Sequence, residues 1–286
     1  MTGEVWRIGK VTISRVVEIE ATGGMSRIIP DAKREKLRGI DWLYPHFADE
    51  TGRMRGAIHA LVVDTPDLTL IVDTCIGNDK QRAVPAWNGL QTGFLSDLAQ
   101  RGYPIESIDR VLCTHLHVDH VGWNTRLENG RWVPTFPSAR YLMGETEFEH
   151  WHQASDSRDE QPAIMQDSVL PVFDAGLVDL VTTDHRICPE VRLVSTPGHT
   201  PGHVSVAIES EGDRALITGD FLHHPCQFVH PEWSSSPDSD PARAIATRKR
   251  MYAELADQPI LVIGTHFATP TAGFLKRDGD VYRLDV

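Results

Sequence analysis

At 286 residues, 41% hydrophobic and 24% charged, the chain has the composition of a soluble globular protein with a sizeable core. Its 28 basic residues against 40 acidic ones leave a net charge of −12, which disfavours nucleic-acid and anionic-membrane partners. No stretch approaches the roughly 18 uninterrupted apolar residues of a membrane span, and the opening MTGEVWRIGKVTISRV lacks the pattern of a secretory signal. The four cysteines, Cys75, Cys113, Cys188 and Cys226, are scattered without a CxxC, so the expected setting is cytoplasmic with free thiols.

In chain order, residues 22–57 read as a loop-rich segment, a lid or an interface, within a single domain spanning 1–286. AIHALVVDT and LTLIVDTC flank a Pro-Asp turn and read as a hairpin. GLQTGFLSDLAQRGY has helical spacing and leads into the strand IDRVLCTH, and SARYLMGETEFEHWHQ reads as a strand followed by a helix. The strands EVRLVSTPG, HVSVAIES and RALITGDF come next, then a second loop-rich stretch over 223–241. DPARAIATRKRMYAELADQ is a helix with Asp240 as N-cap and Pro241 at its first position. Its basic run, Arg243 to Arg250, reads as a solvated face. The strand ILVIGTH and the hairpin GFLKRDGDVYRLDV close the chain.

The chemistry concentrates in THLHVDHVGWN, which places His115, His117, Asp119 and His120 directly after the apolar run RVLC. Three imidazoles and a carboxylate crowded at a strand end lose water or repel one another unless something compensates them, and a metal ion does so. In an extended segment His115 and His117 point to the same side and reach one metal, while Asp119 and His120 turn toward a second. Strands VLCTH, LVSTPGH, RALITGD and LVIGTH all end in polar residues, so His199, Asp220 and His266 are the candidates to complete the set. Divided as His115, His117 and His199, and as Asp119, His120 and His266, with Asp220 between, these donors serve two divalent ions. Imidazole and carboxylate suit zinc first, and also manganese, iron or cobalt.

HLHVDH, TPGHTPGH, TGD and GTH, in this order and spacing, resemble the metallo-β-lactamase-fold hydrolases from about Ala57 to the end of the chain. The resemblance implies an α/β fold, an αββα sandwich with the metals at one edge, and Asp73 supporting the metal loop. It also implies a hydrolase opening a lactone or cleaving a carboxylic ester through attack by a metal-bridging hydroxide, with Asp119 as a catalytic residue; His223, whose imidazole can donate a hydrogen bond or protonate a leaving group, is the second catalytic candidate. The set is similar to the dinuclear branch of N-acyl homoserine lactonases, glyoxalase-II-type thioesterases and methyl parathion hydrolase, unlike zinc β-lactamases with a Cys ligand. GDFLHHPCQFVHPEW followed by DSDP is similar to the methyl parathion hydrolase-like subgroup. Phosphotriester hydrolysis is therefore the alternative activity, with β-lactam or thioester hydrolysis behind it. One departure stands out: homoserine lactonases carry a Tyr three residues after the bridging Asp, where this chain has His223.

The competing account of the seven donors is a scatter of satisfied core and surface groups, which would not complete one coordination set from four separate motifs. His203 reads as structural, and His224, His230, His150 and His152 as ordinary surface residues. Trp42, Trp87, Trp123, Phe221 and Phe228 are candidates to line an apolar pocket, with Cys226 facing it. The expected partner is a small-molecule substrate with an apolar part, and the sequence is compatible with a homodimer. A nuclease is disfavoured because no basic stripe is present, a flavodiiron-type role because no flavin domain follows, and a non-enzymatic binder because no ligand is missing.

Overall fold

The computed structural model describes residues 4–153 and 161–286, and it turns nearly every short Val/Ile/Leu run into a strand. Two compact units emerge, Met1–Glu18 with Ile58–Thr183 and Ile19–Ala57 with Asp184–Val286.

The first unit is built on a seven-stranded sheet. Its strands are β1 (Val5–Ile8), β2 (Val11–Thr22), β3 (Arg55–Asp64), β4 (Thr69–Val72) and β5 (Arg110–Leu112), and a separate hairpin follows from β6 (Thr125–Glu128) and β7 (Arg131–Pro134). Strands β8 (Arg140–Gly144) and β9 (Val178–Val181) complete the sheet, in the order β1-β2-β3-β4-β5-β8-β9. The expected hairpin is β3–β4, antiparallel with Leu61 opposite Val72. From β4 through β5 and β8 to β9 the pairing is parallel. Parallel strands covered on both faces read as continuous apolar runs rather than alternations, and Leu70–Val72, Val111–Leu112 and Tyr141–Met143 are all buried. Because β4, β5 and β8 run the same way, Asp73, the His115–His120 loop and the Glu145–Gln153 helix all emerge from one sheet edge.

The second unit carries a six-stranded sheet in sequential order: β10 (Val191–Ser195), β11 (Val204–Ser210), β12 (Asp213–Ile217), β13 (Ile260–Ile263), β14 (Ala272–Asp278) and β15 (Val281–Asp285). All neighbours are antiparallel except β12 and β13, which are joined through the Pro241–Leu255 helix. Strands β10, β12 and β13 therefore point the same way and deliver the segments after Ser195, Ile217 and Ile263 to one edge. The helix starts as expected, with Pro241 in its first turn and the Asp240 carboxylate accepting from the Arg243 N–H at 3.0 Å. Among the described residues no helix is long and apolar enough to cross a membrane.

Between β2 and β3 the segment holds helical turns at Gly24–Arg27, Arg34–Leu37 and Asp41–Leu43 and an isolated antiparallel bridge between Ala48 and Met54. Its apolar side chains are not loose. Ile29, Leu37, Leu43 and Phe47 join Phe221, Phe228, Met251, Tyr252 and Phe267 in the core of the second unit.

Several expectations are corrected here. Phe221, Phe228 and Cys226 belong to that core rather than to an apolar pocket, and Trp42 packs against it half-buried. Trp123 is buried in the first unit, stacked on Phe94 with its Nε1–H donated to Glu18 at 2.6 Å. Trp87 is half-buried. Arg248 is not on a solvated face: it is fully buried, donating from Nε to the Pro231 carbonyl at 2.8 Å and from Nη1 to the Phe221 carbonyl at 3.3 Å. His224 is also fully buried, donating from Nε2 to the Phe47 carbonyl at 2.8 Å and accepting the Cys226 N–H at Nδ1 at 3.1 Å.

Burial pushes the His224 pKa from 6.5 down to about 4. The unfolded chain takes up that proton near pH 6.5 and the folded chain only near pH 4, so the stability present above pH 6.5 is lost as pH falls through this window. The shift corresponds to about 3 kcal/mol. His224→Gln should flatten the acid limb of the urea unfolding midpoint between pH 6.5 and 4, and an unaltered slope would contradict the assignment.

All four cysteines are free and buried. Burial, the first cause, and then the charges of Glu18, Asp73 and Asp119 hold the Cys75 thiol well above its usual range. Cys113 is pushed up to about 12 by burial. Neither is a thiolate nucleophile at neutral pH.

Candidate metal centre

In the first unit, β5 stops at Leu112 and the motif that follows is bent rather than extended, so alternation along a strand is not what aligns its histidines. The bend itself brings His115 Nε2 to 3.1 Å from His117 Nδ1. Asp73, at the end of neighbouring β4 with φ 57°, turns its carboxylate into the loop. It accepts from the Thr114 N–H at 2.8 Å, from the Thr114 hydroxyl at 2.9 and 3.1 Å, and from His120 Nδ1 at 2.9 Å. That bond puts the proton of neutral His120 on Nδ1 and leaves the Nε2 lone pair for a ligand, with Asp119 Oδ1 3.6 Å from Nε2. Gly122 closes the loop: a Cβ there would lie 1.8 Å from the Ile76 carbonyl oxygen, so no larger residue fits.

Two residues the sequence did not single out brace the loop. Glu147 is buried and accepts from the Leu116 N–H at 3.2 Å and from Trp151 Nε1 at 2.6 Å, while the Trp151 ring lies 5.3 Å from that of His117. On the loop's far side Glu18 receives N–H bonds from Ile76 and Gly77 at 2.8 and 3.2 Å. Burial raises its pKa, opposed by these donors and by Trp123. Neither acid has a local signal in the sequence, because their partners lie far along the chain.

In the second unit, Asp220 follows β12 with φ −103° and ψ 22°, in the sparsely populated bridge region. Its N–H is accepted by His203 Nε2 at 2.7 Å, which obliges neutral His203 to carry its proton on Nδ1, directed at the Thr196 carbonyl 2.9 Å away. Gly219 makes this approach feasible: its φ is 57°, and a Cβ would sit 2.6 Å from that same Nε2.

Three imidazoles converge on one oxygen of Asp220. Oδ2 lies 3.1 Å from His266 Nε2, 3.2 Å from His223 Nε2 and 3.6 Å from His199 Nε2. The donor atoms of His199, Asp220 and His223 all lie within 4.8 Å of one another. The opposite ring nitrogens differ in a telling way. His199 Nδ1 meets the Asp238 carboxylate at 3.0 Å, and His266 Nδ1 meets the Ala57 carbonyl at 3.0 Å. Both partners only accept, so each neutral ring bears its proton on Nδ1 and turns an Nε2 lone pair toward a carboxylate. Lone pairs facing an anion in a buried pocket repel, and a divalent cation reverses that repulsion. The donor set therefore fits a metal. His223 Nδ1 instead meets the Ser235 hydroxyl at 2.7 Å, and a hydroxyl can donate.

The sequence candidates thus fall into two sets, His115, His117, Asp119 and His120 in one unit and His199, Asp220, His223 and His266 in the other. His150 and His152 are exposed, and His230 pairs with Glu232 and stacks on Trp233.

Comparison with known proteins follows the same lines. The family profile described as metallo-beta-lactamase superfamily matches residues 53–266. An N-acyl homoserine lactonase of Bacillus thuringiensis is 28% identical over 169 residues, a span covering 58% of this chain and 59% of that protein. Among solved structures, AidC, a dizinc quorum-quenching lactonase in complex with a product, superposes with a TM-score of 0.83 at 22% identity, covering 99% of this chain and 96% of that one. The hydrolase AbOPH gives a TM-score of 0.81 at 22% identity over 100% of this chain and 98% of its own. At such identity these structures establish the α/β fold.

Proposed function

The chain belongs to the metallo-β-lactamase superfamily, and we propose that it is a dinuclear metal-dependent hydrolase that opens lactones, of the acyl homoserine class in first place, or cleaves carboxylic esters. In this reading His115, His117 and His199 would hold one ion and Asp119, His120 and His266 the other, with Asp220 available to both and zinc the metal that suits the donors first. When bound, two divalent cations supply the charge that makes water nucleophilic at neutral pH and that stabilises negative charge developing on the acyl oxygen.

The chain's own residues do the rest. Asp73, Asp238 and the Ala57 carbonyl fix the tautomers of His120, His199 and His266 and keep their Nε2 lone pairs directed inward. Asp119, mostly buried but still reached by solvent, would offer a carboxylate oxygen to orient the attacking water. His223, bonded through Nδ1 to a hydroxyl that can donate, keeps a proton on Nε2 for the leaving alkoxide.

The observation that carries the proposal is the convergence of His199 and His266 Nε2 on Asp220 Oδ2 with both opposite nitrogens committed to acceptors. The matched span in the lactonase relatives supports the substrate class. A single domain over 1–286 is supported by a family match that runs across both units. A cytoplasmic setting is supported by four free thiols.

Protein loaded with zinc or manganese should carry two metals per chain by elemental analysis. It should hydrolyse acyl homoserine lactones faster than aryl esters, phosphotriesters or β-lactams. Faster phosphotriester turnover would replace this reading with the alternative activity.

A further inference from the structure

The second loop-rich stretch holds two of these histidines by two different chemistries. Asp238 is buried, and its carboxylate is divided between partners: Oδ1 faces His199 Nδ1 at 3.0 Å, while Oδ2 accepts the Ser235 N–H at 2.9 Å and lies 3.5 Å from Arg248 Nη1. Ser235 in turn places its hydroxyl 2.7 Å from His223 Nδ1. The loop is tied at both ends, Ser239 and Asp240 donating to the His199 and Gly198 carbonyls at 2.8 and 2.9 Å and Ser236 to the Ile28 carbonyl at 2.7 Å. Both side chains of the Asp238–Arg248 pair are fully buried. Burying a carboxylate is costly without a cation beside it, and the Arg248 guanidinium of the Pro241–Leu255 helix supplies that cation on the side of Asp238 away from His199.

We propose that Asp238, supported by Arg248, and Ser235 are positioning residues with separate tasks, Asp238 making His199 a strong metal ligand and Ser235 keeping His223 a proton donor. This rests on the dinuclear reading above. A carboxylate behind a ligating imidazole orients the ring and raises its basicity, and losing such a partner typically weakens metal binding about 10–100-fold. A hydroxyl behind His223 leaves the Nε2 proton in place, which suits a group that gives a proton away and not one that binds metal.

Zinc titration of the full chain against a chromophoric chelator, with kcat and KM on an acyl homoserine lactone, separates the two tasks. Asp238→Ala should weaken one of the two zinc sites about 10–100-fold. Ser235→Ala should leave both zinc affinities unchanged and lower kcat at constant KM, with Ser235→Thr restoring it. Should Asp238→Ala fail to fold, Asp238→Asn is read instead: it retains an acceptor oxygen but loses the charge and should still weaken zinc binding. Parental zinc affinity in a folded Asp238 variant overturns the first assignment, and unchanged kcat or a lost metal in Ser235→Ala overturns the second. A parent chain that takes up no zinc in the control titration refutes the dinuclear reading itself and this inference with it.

Discussion

Asp220→Ala should release one metal ion per chain and lower lactone turnover by on the order of 10³-fold or more. The size follows from two statements: a catalytic metal contributes several kcal/mol of charge stabilisation, and each 1.4 kcal/mol or so is tenfold in rate. The direction follows from geometry, since Oδ2 is the one oxygen on which His199, His223 and His266 all converge. Removing it deprives the histidines of their common anionic partner while leaving the fixed Nδ1 bonds of His199 and His266 intact. Asp220→Asn should show the same defect in weaker form, because a neutral amide oxygen still coordinates but no longer balances charge. Elemental analysis beside steady-state kinetics checks both. Two retained metals in Asp220→Ala would show that the carboxylate is not shared.

His223→Ala should behave in the opposite way, keeping both metals and losing rate. Loss of an oxyanion-type donor costs about 10²–10³ in rate, and loss of a general acid about 10²–10⁴. The structure adds the Ser235 hydroxyl at Nδ1, a partner that can donate there and so lets Nε2 carry the ring proton beside Asp220 Oδ2. The defect should shrink for substrates that leave without protonation, such as nitrophenyl esters. A variant that loses a metal would make His223 a ligand, and unchanged rates on every substrate would make it a packing residue.

Much of this architecture was readable from residues alone, for identifiable reasons. The β3–β4 hairpin, the Asp240-capped helix and the closing β14–β15 hairpin each had both a period and a punctuating turn or cap. The metal-ligand candidates were readable because each sits at the end of an apolar strand. What escaped was pairing at long range. Asp238 lies 39 residues from His199, and Glu147 lies 31 from Leu116, so no local pattern joins them. Arg248 shows the other limit: helical spacing says which residues share a face, but not that a core cation on that face will find Pro231, Phe221 and Asp238 waiting. His224 was misjudged for the same reason, its acceptor being 177 residues away. At His115 and His117 the expected proximity holds, while the cause is a bend and not strand alternation.

The segment between Ile29 and Met54 has a consequence for how such a protein can diversify. Its apolar residues are seated among Phe221, Phe228 and Phe267, and Phe47 also supplies the acceptor for His224. Stripping one large side chain from a core of this kind costs about 2–5 kcal/mol. A segment fastened in that way cannot be traded between relatives as a cassette unless Ile29, Leu37, Leu43 and Phe47 travel with it. Drift and engineering alike are steered to its exposed positions, such as Lys33, Glu35 and Glu50, whose side chains are not part of the wall behind them.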